Sequence, residues 1–180
     1  MRKHKLTYSR LLALFGRYNR LFTMSETKVL IVMFSRLPFN LSYTYVSISY
    51  RKLQQLTGIS NKRVAVALEE LQKIGAVRKV SGLTEKEEVR KMKLKIFKRP
   101  MEWGAETNVY DLTPLIAFLD KLDEIEETFR RKYVNAFYRR PKLKEHPFFK
   151  LSLLRKETPE QFTLTSAVDF AKNYLMELFN

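Results

Sequence analysis

Residues 48–80 read ISYRKLQQLTGISNKRVAVALEELQKIGAVRKV, and their punctuation predicts two short helices followed by a strand. Ser49 suits a cap ahead of Lys52, Leu53 and Leu56, because its hydroxyl can accept a bond from a free first-turn N–H. Thr57-Gly58 predicts a turn, since glycine adopts the left-handed backbone that helix ends often need. Ile59 would pin the helices together, and Ser60 is the next cap. Val64, Ala67, Leu68, Leu71 and Ile74 recur at helical spacing as one buried stripe. Gly75 supplies a stop, and Ala76-Val77-Arg78-Lys79-Val80 alternates like a half-buried strand.

The other side of the second helix carries Asn61, Lys62, Arg63, Ala65, Val66 and Glu69. Two helices so joined make a helix-turn-helix, whose second member can enter the major groove of B-DNA. Asn can pair two-fold with adenine and Arg with guanine, while a small apolar group suits the thymine methyl. Lys62 suits a phosphate. The competing reading is an amphipathic helix whose polar face is only wet. The turn, two caps, glycine stop and basic strand together weigh against it.

From Ser25 to Leu112 the chain resembles the winged-helix DNA-binding domains of plasmid and phage replication initiators and related small regulators. The matching pieces are an opening helix (Ser25 to Leu37), a strand at Val46-Ser47-Ile48, and Leu53-x-x-Leu56-Thr57-Gly58-Ile59-Ser60. Ala67-Leu68-Glu69-Glu70-Leu71 with Gly75 follows, then Thr107-Asn108-Val109-Tyr110-Asp111-Leu112 as the returning wing strand. The resemblance implies a mostly α fold with a small antiparallel β wing (α+β). Ala65 and Val66 depart from it, standing where such domains carry polar groups, which leaves more of the base readout to Asn61 and Arg63.

The expected wing is long, with Ser81 to Glu106 between its strands. Thr84 and Glu87 form a capping-box pattern, whereas Met92, Leu94 and Ile96 alternating with lysines suggest a strand; the end of the segment favours strand. Either way Lys91, Lys93, Lys95, Lys98 and Arg99 gather charge where a wing would reach the phosphate backbone. Trp103 is expected to pack beneath it. Tyr50, Arg51, Ser60, Arg78 and Lys79 complete the expected DNA-contacting set.

Composition agrees with a polyanionic partner. The 180 residues carry a net charge of +15, and such a surface attracts nucleic acid with salt-sensitive affinity. Hydrophobic residues make up 45% of the chain, enough for a sizeable core. No apolar run is long enough to span a membrane, and no signal peptide is evident at the N-terminus. The absence of cysteine excludes disulfides and thiolate metal sites and is compatible with a reducing cytoplasm, bacterial, archaeal or virus-infected.

Three regions are expected: a basic N-terminal helix (1–24), the winged helix-turn-helix (25–112) and a C-terminal helical extension (113–180). Ser9 to Phe22 reads as an amphipathic helix, either a DNA-phosphate arm or dimerisation helix, or packed on the main domain with a solvated basic face; packing with an added electrostatic role is favoured. Pro38 closes the next helix. Thr113-Pro114 opens a helix to about Tyr138, acidic early and basic late. It needs a partner, in a coiled-coil-like dimer or by folding back onto the N-terminal helix. Thr158-Pro159-Glu160-Gln161 resembles a capping box without a clear boundary, and a last helix is expected from Thr165 to Phe179.

Catalysis has little support. His4 and His146 lack metal-ligand spacing, no glycine-rich phosphate loop occurs, and Glu69-Glu70 has no acid–base partner. Tyr43, Tyr45 and Tyr50 read as core or phosphate contacts. The expectation is therefore a non-enzymatic, cofactor-free and metal-free protein that binds double-stranded DNA sequence-specifically, with copies assembling as a dimer or multimer on it. A transcriptional repressor using the same face, or a winged-helix protein-interaction module within a nucleoprotein assembly, are the alternatives.

Overall fold

The computed structural model describes residues 6–80, 108–132 and 147–179. The stretch 81–107, with Lys91, Lys93, Lys95, Lys98, Arg99 and Trp103, lies outside them, as do both histidines and the expected helix beyond Lys132. The described residues form seven α-helices and a three-stranded antiparallel sheet.

Helix α1 (Tyr8–Tyr18) starts one residue before the sequence reading, because Thr7 is the cap and accepts the Arg10 N–H at 3.3 Å. It gives way to a single 3-10 turn, Asn19–Leu21, rather than running on to Phe22. Helix α2 (Met24–Phe34) is set by a capping box that the sequence reading did not single out. Thr23 Oγ1 accepts the Glu26 N–H, and Glu26 Oε2 accepts the Thr23 N–H at 2.8 Å. The helix ends before Leu37: Arg36 and Leu37 bond three residues back, to Met33 and Phe34, so the chain tightens ahead of Pro38.

Strand β1 (Tyr45–Ile48) leads into α3 (Tyr50–Thr57), capped by Ser49 as expected. Gly58 follows at φ 68°, with its N–H bonded to Gln54 O. Ser60 then caps α4 (Asn61–Lys73). Beyond α4, Gly75 sits at φ 76° and the Ala76 N–H reaches back to Leu71 O at 2.8 Å, closing the helix by a six-to-one bond. Strand β2 (Arg78–Val80) is shorter than the Ala76–Val80 expectation because Ala76 and Val77 take part in that closure.

Strand β3 (Asn108–Asp111) is the middle strand, in the order β1-β3-β2. Tyr45 faces Asp111 and Ile48 faces Asn108 on one side; Arg78 faces Asp111 and Val80 faces Val109 on the other. The connection 81–107 therefore leaves from the end of the sheet where β1 enters α3.

Helix α5 (Thr113–Lys132) includes Thr113 rather than being capped by it: Asp111 Oδ1 accepts the Thr113 N–H at 2.9 Å. The sequence reading assigned no element to the next helix, α6 (Pro147–Glu157). Thr158 does not open a helix; Thr163 does, exchanging reciprocal bonds with Ser166 at the start of α7 (Leu164–Phe179).

The three regions read from sequence share one core. Leu14 and Tyr18 of α1, Leu30 and Met33 of α2, Leu68 and Leu71 of α4, Leu119 and Leu122 of α5 and Ala167 of α7 belong to a single buried cluster. Helix α5 packs on α1 and α7, while α6 packs on the 3-10 turn and on α7. Of the two arrangements open for α5, this is folding back onto the N-terminal helix. Leu164 N–H also donates to Ile74 O at 3.0 Å, fastening α7 to the end of α4.

Candidate nucleic-acid interface

Helix α4 has one dry and one wet side. Val64, Ala67, Leu68 and Leu71 are buried, and α2 and α3 pack behind them. Lys62, Val66, Glu69 and Lys73, spaced four, three and four apart, are exposed, so they lie along the middle of the outward face. Asn61 and Arg63 are exposed on the flanks of that line, and Ala65 is half-buried. Val66 keeps 51% of its surface exposed at the centre of that face.

The turn before α4 fixes how its first turn is presented. Thr57 Oγ1 donates to Leu53 O at 2.6 Å and accepts from the Ile59 N–H, which seats Ile59 against the core. A shallow cleft of about 430 Å³ runs along this turn, lined by Arg51, Gln54, Gln55, Gly58, Ile59 and Ser60. Arg51 and Ser60, expected separately as DNA contacts, thus share one concavity beside the exposed Asn61, Lys62 and Arg63.

At the root of the expected wing the expectations separate. Lys79 is exposed, with its Nζ 6.0 Å from the centroid of the half-buried Tyr50 ring. Tyr50 adjoins Tyr110, whose phenol is pushed above its ordinary pKa, first by burial and then by the neighbouring Tyr50. Arg78 is engaged internally: its guanidinium lies 3.3 Å from Asp111 Oδ2, although the Arg78 side chain is 61% exposed and Asp111 almost wholly buried. Half of the two-cation strand expected to hold phosphate is therefore tied to a carboxylate.

The arginines of α1 behave likewise. Arg10 binds Asp123 at 2.6 Å and Arg17 binds Glu126 at 2.7 Å, both on α5. Hydrogen bonding to Asp123 raises the Arg10 pKa, opposed by partial burial. The acidic half of α5 answers α1, which agrees with packing rather than with a free phosphate arm.

One sequence signal for this surface was overlooked. Residues 27–68 contain no Asp or Glu, while supplying Lys28, Arg36, Arg51, Lys52, Lys62 and Arg63. Within that stretch no carboxylate neutralises the cations in sequence. Carboxylates return at Glu69 and Glu70, in the third turn of α4, so the cations of its first two turns have no carboxylate beside them along the chain.

Among the described residues no group of three acidic or histidine side chains could hold a metal ion, and no helix is long and apolar enough to cross a membrane. Comparisons with protein-family models, curated proteins and solved structures found no match.

Proposed function

We propose that the chain is a winged-helix protein that binds double-stranded DNA, with the first two turns of α4 in the major groove and β2 and its connection to β3 against the backbone. The observation that carries this reading is the exposed Asn61-Lys62-Arg63 turn of α4 at the end of a carboxylate-free stretch, beside the cleft holding Arg51 and Ser60. The order helix, strand, helix, turn, helix, strand, strand supports it as well, since in that succession α4 keeps one side exposed and β2 follows it directly in the chain.

Asn61 and Arg63 are assigned to base edges, Lys62, Arg51 and Lys79 to phosphates, and Lys91, Lys93, Lys95, Lys98 and Arg99 to the wing's share of the backbone. The process is replication initiation at repeated sites bound by several copies in a cytoplasm, in keeping with the resemblance described above. Transcriptional repression through the same face is the second reading, and the position of the bound sites separates the two: repeats beside an AT-rich origin against a promoter palindrome.

Footprinting on the DNA that encodes the chain, across a salt series, tests the proposal. Protection of discrete sites with affinity falling steeply in salt is expected. Arg63→Ala should cost about 1–3 kcal/mol at particular base pairs. Uniform weakening on all sequences, or none, overturns base reading by α4. No protection at any salt concentration would leave the exposed Val66 as the stronger clue and favour a protein-docking module.

A further inference from the structure

We infer that Val66 reads a pyrimidine 5-methyl group in the major groove, so that the target of this protein carries thymine, or 5-methylcytosine, at one fixed position per site. The inference rests on the DNA-binding reading and names the base chemistry it selects.

Val66 lies on the centre line of the outward face of α4, with Lys62 one turn before it and Lys73 two turns after. It is 51% exposed, whereas the apolar residues on the opposite side, Val64, Ala67, Leu68 and Leu71, are buried to within a few per cent. Its neighbours along the chain favour one kind of partner. Arg63 flanks it, and no carboxylate precedes it as far back as Glu26. This local excess of cations suits a partner that carries negative charge.

Within a polyanionic duplex, the pyrimidine 5-methyl is the apolar group that the major groove presents. Neighbouring Ala65 is half-buried and too short to reach past Val66, so the apolar contact falls to one side chain. Glu69, one turn further on, bounds the contact: a carboxylate there is repelled by phosphate unless it accepts from a cytosine amino group. A single methyl-sized contact between a cationic turn and an acidic one is the arrangement that results.

The test uses the full chain and duplexes enriched by it from a random-sequence pool. Each thymine of the enriched duplex is replaced in turn by deoxyuridine, which removes only the methyl. At one position per site affinity should fall about fourfold, the value of burying one methyl-sized group. The exposed-site variant Val66→Ala should bind both duplexes with nearly equal affinity, and Arg63→Ala should keep the discrimination.

Exchanging that T·A pair for 5-methylcytosine·G distinguishes the sources. Recovery relative to unmethylated C·G identifies any 5-methylpyrimidine as the ligand; failure to recover, with the deoxyuridine effect intact, identifies thymine alone. An enriched duplex bound equally well with every thymine demethylated overturns the inference while leaving DNA binding standing. A pool from which nothing is enriched removes the DNA-binding reading itself.

Discussion

The guanidinium of Arg155 grips the Glu26 carboxylate through two nitrogens, at 2.8 Å to Oε2 and 2.7 Å to Oε1. Glu26 is 2% exposed and is the same residue that closes the capping box of α2, so one carboxylate serves a helix start and a contact from α6. Arg155 also donates to Leu21 O and lies between the rings of Phe22 and Phe162, 5.9 and 5.7 Å from their centroids. The C-terminal helices are thereby fastened to the point where α1 turns into α2.

Arg155→Ala leaves Glu26 buried without its cation. Breaking one side of such a pair should destabilise the fold by about 3 kcal/mol or more in chemical denaturation. Arg155→Lys cannot reproduce the two-nitrogen grip and should recover only part of the loss. Replacing both residues by methionine should cost less than Arg155→Ala alone, because no unpaired charge remains. A cost for Arg155→Ala within experimental error would mean that α6 contributes little to the core.

Two glycines separate backbone conformation from packing. A Cβ added at Gly75 or at Gly16 meets no atom within 4 Å, yet Gly75 sits at φ 76° and Gly16 lies inside α1. Gly75→Ala should therefore destabilise by roughly 1–2 kcal/mol, the cost of a left-handed backbone for an L residue. Gly16→Ala should stabilise by about 0.5–1 kcal/mol, since helical glycine carries an entropic penalty. Opposite signs in thermal denaturation are the expected result; equal signs would contradict the placement of the α4 terminus.

Alkaline pH should unfold the protein earlier than its lysines alone would dictate. Burial raises the Tyr18 phenol, helped by Glu126, and burial raises the Tyr110 phenol as well. Both therefore stay protonated in the fold while the unfolded chain loses these protons near the ordinary tyrosine value of about 10. The unfolded state then binds fewer protons, so stability falls as pH rises above about 10, each phenol contributing up to roughly 1.4 kcal/mol per pH unit. Tyr18→Phe should flatten that decline between about pH 10 and 11.5 relative to the parent. An unchanged slope would show that Tyr18 ionises freely in the fold.

Legibility from sequence followed the range of the interactions. Ser49, Gly58, Ser60 and Gly75 each act on backbone a few residues away, and the turn and both ends of α4 stand where the sequence places them. The buried stripe of α4 was equally readable, because helical periodicity is local. The Thr23–Glu26 box is just as local, but it opens two residues ahead of Ser25, where the resemblance begins the helix. The rest depended on partners far along the chain. Arg10 meets Asp123 across 113 positions and Arg155 meets Glu26 across 129, and no spacing rule connects them. Helix α6 lacked a one-sided apolar pattern because its residues face two neighbours, the 3-10 turn and α7. At the candidate interface, exposure of Asn61, Lys62 and Arg63 followed from α4 itself. The engagement of Arg78 did not, since Asp111 lies 33 positions away on the neighbouring strand.

That engagement yields a prediction whose sign is informative. Asp111 Oδ1 accepts the first N–H of α5, and Oδ2 holds Arg78, so the residue both starts a helix and withholds a cation from the outward side of β2. Asp111→Asn retains an oxygen for the Thr113 N–H but removes the charge that holds the guanidinium. If β2 lies against a duplex backbone, the released Arg78 should strengthen binding at low salt and steepen the log–log salt dependence by about one. Arg78→Ala should do neither, and combining it with Asp111→Asn should cancel the gain. Anisotropy titrations of a labelled duplex between about 50 and 200 mM salt read both quantities. Weaker binding with an unchanged slope in Asp111→Asn would assign Arg78 wholly to holding β2 against β3, and would move the backbone contact to Lys79 alone.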